Sequence, residues 1–326
     1  MIYMNFQSLE KIENADAYLD MAFKEAKKPI EKKIGGDKLA KIKYMEIEKV
    51  NKFHNQLASQ LHKILRNFPN IDDLPTFYIE LIKTTLDYVK LKKSLGTLSW
   101  SLNKINDLKY NVTKGLKKAP RIEILVKERK AFHGRASSFM KQSDSSLRYL
   151  EEARKVMKSF PNIKTSLKTV CICGFPNIGK TTLLTKLTSA NPEINTYAFT
   201  TKKLNLGYFN SDYEKVQVID TPGTLNRFNK MNQIEKQAYL AVRYCADLIV
   251  YIFDLTEPYS LEEQKRLYEV LKGYEKKIIF YLSKTDILDK EKSGKEKLNM
   301  FKKENNFKFI TDSEKLKEEI VRRLKE

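Results

Sequence analysis

The sequence predicts an all-α helical bundle domain followed by an α/β domain with a mostly parallel sheet. Three observations carry that expectation. Apolar residues recur three and four apart through the first half, short β-branched or aromatic runs alternate with helical stretches through the second, and a glycine-rich G-x-x-x-x-G-K-T segment joins one such run to a helix. The boundary falls near Lys164, which gives domains over 1–164 and 165–326.

In the first half, Tyr18, Met21, Ala22 and Ala26, and later Val50, Phe53, Leu57, Leu61, Ile64 and Leu65, follow the helical period. Breaks at Gly35 and Gly36, around Pro69 and Pro75, and between Gly115 and Pro120 divide this half into about four long helices. In the second half the expected strands are 169–173, 203–208, 215–219, 247–253, 277–282 and 307–310. Alternation of such runs with helices is the pattern of a sheet covered on both faces.

Composition narrows the function classes. The chain has 326 residues, 41% of them hydrophobic, enough for two buried cores. The longest apolar run, 248–253, is far shorter than the roughly 20 residues needed to cross a bilayer. Glu10 and Asp16 stand where a basic leader would be, so neither a membrane span nor a signal peptide is expected. Cys171, Cys173 and Cys245 form no C-x-x-C pair, and the three histidines are scattered, so buried reduced thiols are expected rather than disulfides or zinc. The net charge is +20, of which +15 lies in the first 168 residues. That asymmetry points to a polyanionic partner for the helical half.

The phosphate loop is the strongest signal. Gly174, Phe175, Pro176, Asn177, Ile178, Gly179, Lys180 and Thr181 match G-x-x-x-x-G-K-[ST] directly after a strand and before the helix that opens at Thr182. Glycines let backbone N–H groups turn toward phosphates, Lys180 reaches the terminal phosphates, and Thr181 offers a hydroxyl to magnesium. Some forty residues on, Asp220-Thr221-Pro222-Gly223 ends another strand. There Asp220 is placed to hold Mg2+ through water and the Gly223 N–H to approach the terminal phosphate. Between the two, Thr200-Thr201 sits in a weakly structured stretch suited to a switch loop, with Thr201 favoured as the hydroxyl that completes the magnesium shell when a third phosphate is present and Thr200 as the alternative.

Ser283-Lys284-Thr285-Asp286 is the candidate base-reading segment, a plain surface turn being the other reading. A carboxylate at Asp286 accepts from guanine N1–H and the 2-amino group, whereas adenine offers an acceptor at N1 and no 2-amino group. A site built around such donors rejects an analogue lacking them by about 10⁴. Lys284 lays its stem across the base. Ser283 takes the place of an asparagine whose amide would bridge base and phosphate loop, so guanine preference is expected with looser affinity. After the last strand, a backbone N–H at Thr311 is the candidate contact to guanine O6.

Beyond these motifs, Y-A-F-T-T-K at 197–202, N-Q-I-E-K-Q-A at 232–238, F-P-N-I-D-D at 68–73, F-Y-I-E-L at 77–81, G-R-A-S-S at 134–138 and L-R-Y-L-E-E-A-R at 147–154 span both halves. Together with D-T-P-G at 220–223, they resemble the nucleolar GTP-binding protein (Nog) branch of the Obg-like GTPases. The resemblance implies a Ras-like P-loop GTPase domain that binds GTP and GDP with Mg2+. It also implies action in large ribosomal subunit assembly through ribosomal RNA or the pre-ribosomal particle, and a short archaeal-type form in the cytoplasm. Neither membrane nor DNA is expected as a partner. Thr224 follows D-T-P-G where relatives carry a hydrophobic residue, and neither orients water as a glutamine does. Intrinsic hydrolysis is therefore expected to be slow, on the order of 10⁻⁴ to 10⁻² per second, with an external activator. Asn177 matches an asparagine that in some related GTPases holds K+, and a purely structural role in the loop is the other reading. The alternative for the whole chain is a guanine-nucleotide-dependent regulatory module that docks a protein partner.

Overall fold

The computed structural model describes residues 6–30, 35, 37–188, 193–194, 204–211, 214–222, 233–256, 259–288, 290, 292–304 and 307–326. The chain forms two compact units, one comprising Met4–Leu74 with Ile82–Lys158, the other Pro75–Leu81 with Ser159–Glu326.

The helical unit is built on α1 (Ala15–Ala26), α2 (Lys38–Asn67), α4 (Tyr88–Lys118), α5 (Ile122–Gln142) and α6 (Asp144–Met157), while α3 (Thr76–Thr85) has residues in both units. Each start has a local cause. Asn14, Asp37 and Asp87 accept hydrogen bonds from the N–H groups of Ala17, Ala40 and Lys90, satisfying first-turn donors. The start at Asp87 and the junction at Ser143 divide helices that the periodicity alone reads as continuous, because neither carries glycine or proline. At Ser143 the hydroxyl donates to Phe139 O (3.1 Å) and lies 2.6 Å from Ser101 Oγ. Such bonding back to the preceding turn bends a helix. Gly115 sits inside α4 and is no break.

The bundle core joins Phe53, Leu57 and Leu61 of α2, Leu98 and Ile105 of α4, and Phe132, Ala136 and Met140 of α5, all fully buried. Burial of each large apolar side chain contributes roughly 1.5–3 kcal/mol. Besides the serines Ser94, Ser101 and Ser143, Glu46 and His133 are buried polar residues among those described in this unit. Glu46 is buried, paired with Arg129 and with Lys49 Nζ at 2.6 Å. His133 stacks on Phe53 with ring centroids 4.4 Å apart, and its Nε2 is buried with no hydrogen-bond partner.

The second unit contains β1 (Thr169–Cys173), α7 (Lys180–Leu187), β2 (Glu193–Ile194), β3 (Asn205–Ser211), β4 (Glu214–Asp220), α8 (Gln233–Tyr244), β5 (Leu248–Asp254), α9 (Leu261–Lys272), β6 (Lys277–Ser283), α10 (Thr285–Leu288), α11 (Lys292–Glu304), β7 (Phe309–Ile310) and α12 (Ser313–Lys325). The sheet runs β2-β3-β4-β1-β5-β6-β7, antiparallel at β2–β3 and β3–β4 and parallel elsewhere. All five residues of β1 and all seven of β5 are buried, as central strands covered on both faces require. Cys171 and Cys173 are free thiols within β1, and burial pushes Cys173 up to about 12, which keeps it protonated and inert.

Residues of α3 are tied into this unit by Tyr78. Its hydroxyl accepts from the Ile163 N–H (3.1 Å) and lies 2.9 Å from Pro161 O and 3.0 Å from Ile163 O. Because β1, β4, β5, β6 and β7 run parallel in register, the loops after all five emerge at one edge, where α/β sheets bind ligands.

Candidate functional site

The loop after β1 is shaped by backbone conformations that few residues adopt. Gly174 has φ 147°, and a Cβ there would come within 2.3 Å of Ile178 Cδ1 and 3.0 Å of Ile252 O. Asn177 (φ 62°) and Gly179 (φ 92°) are left-handed, the second as N-cap of α7. Asparagine and glycine tolerate that region best. Such turns, ahead of a helix N-terminus, make successive N–H groups converge on an anion. Phe175 and Ile178 are buried beneath the loop, Pro176 is half-buried, and Asn177 and Thr182 are exposed.

Lys180 is buried, and its Nζ donates to Phe175 O at 2.6 Å. Burial lowers its pKa, and the nearby Asp220 carboxylate pulls it back up. Thr181 Oγ1 donates to Asp220 Oδ2 at 2.6 Å, and Asn205 Nδ2 donates to the same oxygen at 3.1 Å. Asp220 Oδ1 is buried with no partner. Burial raises the Asp220 pKa, against bonds from Thr181 and Asn205 and the charge of Lys180. An orphaned carboxylate oxygen beside a threonine hydroxyl is the donor set of a hard divalent cation with oxygen ligands, so the residues fit Mg2+. Behind them, Thr221 anchors the strand end, its Oγ1 donating to Ile172 O at 2.8 Å.

The base segment lies on the same edge. Ser283 is buried, its hydroxyl donating to Phe253 O at 3.1 Å, and its Cβ lies 4.0 Å from where a Cβ on Gly179 would sit. Serine thus abuts the phosphate loop while spending its donor on β5. Lys284 has φ 55°, with Nζ 2.6 Å from Asp254 Oδ2. Asp286 is exposed in the first turn of α10. Thr311 is exposed directly after β7, whose register Tyr281↔Ile310 sets it beside the end of β6. Asp312 is occupied in capping α12 through the N–H groups of Glu314 and Lys315.

The fold therefore gathers residues 174–182, Asp220, Ser283, Lys284, Asp286 and Thr311 at one sheet edge, although more than a hundred residues separate the first from the last. Thr200, Thr201, Gly223 and Thr224 lie outside the described residues. Two residues the motifs do not flag join the site. Asn205 reaches Asp220 because the two are cross-strand partners of β3 and β4, and Asp254 reaches Lys284 because Asp254 is the register partner of Ser283. Only strand register signals either one.

Residues 6–164 match the NOG1 N-terminal helical domain, and residues 169–284 match the 50S ribosome-binding GTPase family. The chain is 36% identical over 258 residues to an uncharacterized protein of Methanocaldococcus jannaschii, covering 78% of this chain and 72% of that one. It is 32% identical over 297 residues to nucleolar GTP-binding protein 1 of Drosophila melanogaster, covering 89% of this chain and 46% of that one. The chain thus spans about half the length of its nucleolar relatives. Among solved structures, the G domain of the Thermotoga maritima FeoB iron transporter aligns with 48% of this chain and 98% of its own, at 25% identity and a TM-score of 0.39. With a helical N-terminal domain of the NOG1 type joined to a Ras-like P-loop GTPase domain, the chain belongs to the nucleolar GTP-binding protein (Nog) family.

Proposed function

We propose that this chain is a GTP-hydrolysing switch in large ribosomal subunit assembly, with the helical unit contacting ribosomal RNA. The observation that carries the nucleotide half is the Thr181–Asp220 pair with its orphaned oxygen, set against a phosphate loop whose lysine is already buried. Lys180 and the loop N–H groups bind the phosphate tail, and Thr181 and Asp220 hold Mg2+. When bound, the ion neutralises charge that develops on the transferred phosphoryl oxygens. Asp286 reads the guanine edge, Lys284 covers one face of the base, and the Thr311 N–H faces O6. Thr201 and the Gly223 N–H sense the third phosphate, and its loss relaxes both segments. Hydrolysis without an activator is slow because nothing in the D-T-P-G-T stretch replaces a water-orienting glutamine. Asn177 serves the loop through its left-handed backbone. A K+ ion beside it is the further reading, and equal hydrolysis rates in sodium and potassium would remove it.

The RNA half is supported by a groove of about 530 Å³ between α2 and α4, lined by His54, Asn106, Lys109, Tyr110, Lys114 and Lys117. No carboxylate is among the described residues that line it. Tyr110 is 67% exposed, an aromatic face among ammonium groups. That combination suits phosphates with an unstacked base, the form in which folded RNA is read. The test is crosslinking of the GTP-loaded protein to ribosomal particles, with mapping of the RNA contacts. The expected result is large-subunit RNA crosslinked to this groove, with affinity falling linearly in log salt. Absence of RNA binding at low salt would refute the reading and favour a protein partner.

A further inference from the structure

Asp254 is a buried carboxylate, 2% exposed, at the end of β5, and no sequence motif uses it. Its surroundings hold it in one orientation. Oδ1 accepts from the Thr256 N–H (2.9 Å) and Oγ1 (2.7 Å). The Gln264 side chain clips its backbone at both ends, Oε1 accepting from Asp254 N (3.0 Å) and Nε2 donating to Asp254 O (2.8 Å). Gln264 is in turn fixed by the Tyr251 hydroxyl, which donates to its backbone oxygen at 2.6 Å. Oδ2 faces Lys284 Nζ at 2.6 Å, an ion pair by distance in which Oδ2 receives no well-directed hydrogen bond. The carboxylate is thus built in place, and the lysine is brought to it.

We infer that Asp254 is the positioning residue of the guanine site: it pins the ammonium of Lys284 so that the lysine stem is already laid out where the purine ring rests. The stem has two fixed ends, a left-handed backbone at φ 55° and a tethered Nζ. A lysine held this way loses little rotamer freedom when the base arrives, and its methylenes offer an apolar surface while the charge stays satisfied. The same pin relieves Ser283, whose hydroxyl is directed to Phe253 O and so does not bridge base and loop. The inference rests on the assignment of Lys284 and Asp286 to the base site.

Release of fluorescent GDP and of its inosine counterpart tests it, in the full chain carrying Asp254→Asn, Lys284→Met or both. Asp254→Asn is expected to release both nucleotides about tenfold faster, the scale of coupling within one ion-pair network. The ratio of guanosine to inosine affinity stays constant, because the lysine stem touches the ring face and Asp286 alone reads the 2-amino edge. The double substitution releases no faster than Lys284→Met, since the pin has nothing left to hold. In thermal unfolding of the nucleotide-free protein, Lys284→Met lowers the midpoint and adding Asp254→Asn restores it, because a buried carboxylate no longer lacks its counter-charge. Should Asp254→Asn fail to fold, Thr256→Val, which removes one donor to Oδ1, gives a smaller acceleration that vanishes in the Lys284→Met background. Rates that multiply in the double substitution, or fast release from Lys284→Met with wild-type release from Asp254→Asn, overturn the positioning role alone. Unchanged release from Lys284→Met overturns the base-site assignment and the inference with it.

Discussion

Thr181 Oγ1 donates to Asp220 Oδ2 at 2.6 Å, which leaves the other carboxylate oxygen of Asp220 buried and unpartnered. One oxygen is held by protein and the other is kept bare at the same spot. Such an arrangement costs stability in the absence of ligand, since a buried polar atom without a partner is worth roughly 1–3 kcal/mol of penalty. It is the pattern expected where a cation completes the site.

In the proposed site, Asn205 acts on magnesium through Asp220. Its Nδ2 fixes the same oxygen that Thr181 does, at 3.1 Å, and so sets which way the carboxylate points. Asn205→Leu is expected to weaken apparent Mg2+ affinity by about 10- to 100-fold, the range seen for groups that orient a metal ligand. Magnesium titration of GDP release measures it, and an unchanged midpoint would remove Asn205 from the site.

In the proposed site, Asp220 trades stability for metal binding. Burial raises its folded pKa above the unfolded value, so the folded state holds its proton to higher pH than the unfolded chain does. The resulting contribution favours folding at acid pH and is lost as pH rises from the ordinary carboxylate value through the raised one. Asp220→Asn should therefore raise the unfolding midpoint of the nucleotide-free protein at neutral pH by a few degrees, about 2–4 °C per kcal/mol for a domain of this size. The same variant should lose magnesium-dependent nucleotide binding. Calorimetry with and without MgGDP separates the two effects.

Gly174→Ala is expected to remove nucleotide binding. At φ 147° an L side chain is strained, and its Cβ would press on the Ile252 carbonyl at 3.0 Å, a backbone atom that cannot step aside. Strain of about 1–3 kcal/mol falls on the loop. Equilibrium binding of GDP reads the loss, while circular dichroism should remain that of folded protein.

The helical unit carries its own pH response. Burial among Phe53, Phe23 and Phe132 pushes His133 down to about 4, with the Arg129 charge adding to the effect and Glu46 opposing it. The unfolded histidine protonates near its ordinary value of about 6.5, so the unfolded state binds more protons between that pH and 4. Stability is therefore full above about 6.5 and falls as pH drops toward 4, by up to about 1.4 kcal/mol per pH unit. Replacing His133 with Phe should flatten that slope. Urea unfolding of the helical unit at pH 7 and pH 5 measures it, and equal slopes in both proteins would contradict the assignment.

What could be read before folding was whatever is contiguous. The phosphate loop is eight successive residues whose glycines, lysine and threonine each have one job, and Asp220 ends a run that can only be a strand. The β-strands of the parallel sheet were legible for the same reason, since buried strands are written as apolar runs. Asn205 and Asp254 were not. An asparagine at the start of β3 has no meaning until antiparallel register sets it opposite Asp220, and Asp254 gains its role only from the parallel pairing with Ser283. The start of α4 at Asp87 escaped because its signal is a single capping carboxylate. That Pro75–Leu81 groups with the nucleotide-binding unit is a tertiary fact, carried by the Tyr78 hydroxyl and absent from any local pattern.

The central claim is that Lys180, Thr181 and Asp220 grip the phosphate tail and magnesium of a nucleotide whose base is read by Asp286. Competition binding to the purified protein with fluorescent GDP, in magnesium buffer and again in excess chelator, tests it most directly. The account predicts displacement by unlabelled GTP and GDP, none by equimolar ATP, and a large loss of affinity without magnesium. Equal displacement by ATP, or affinity indifferent to the chelator, would contradict it.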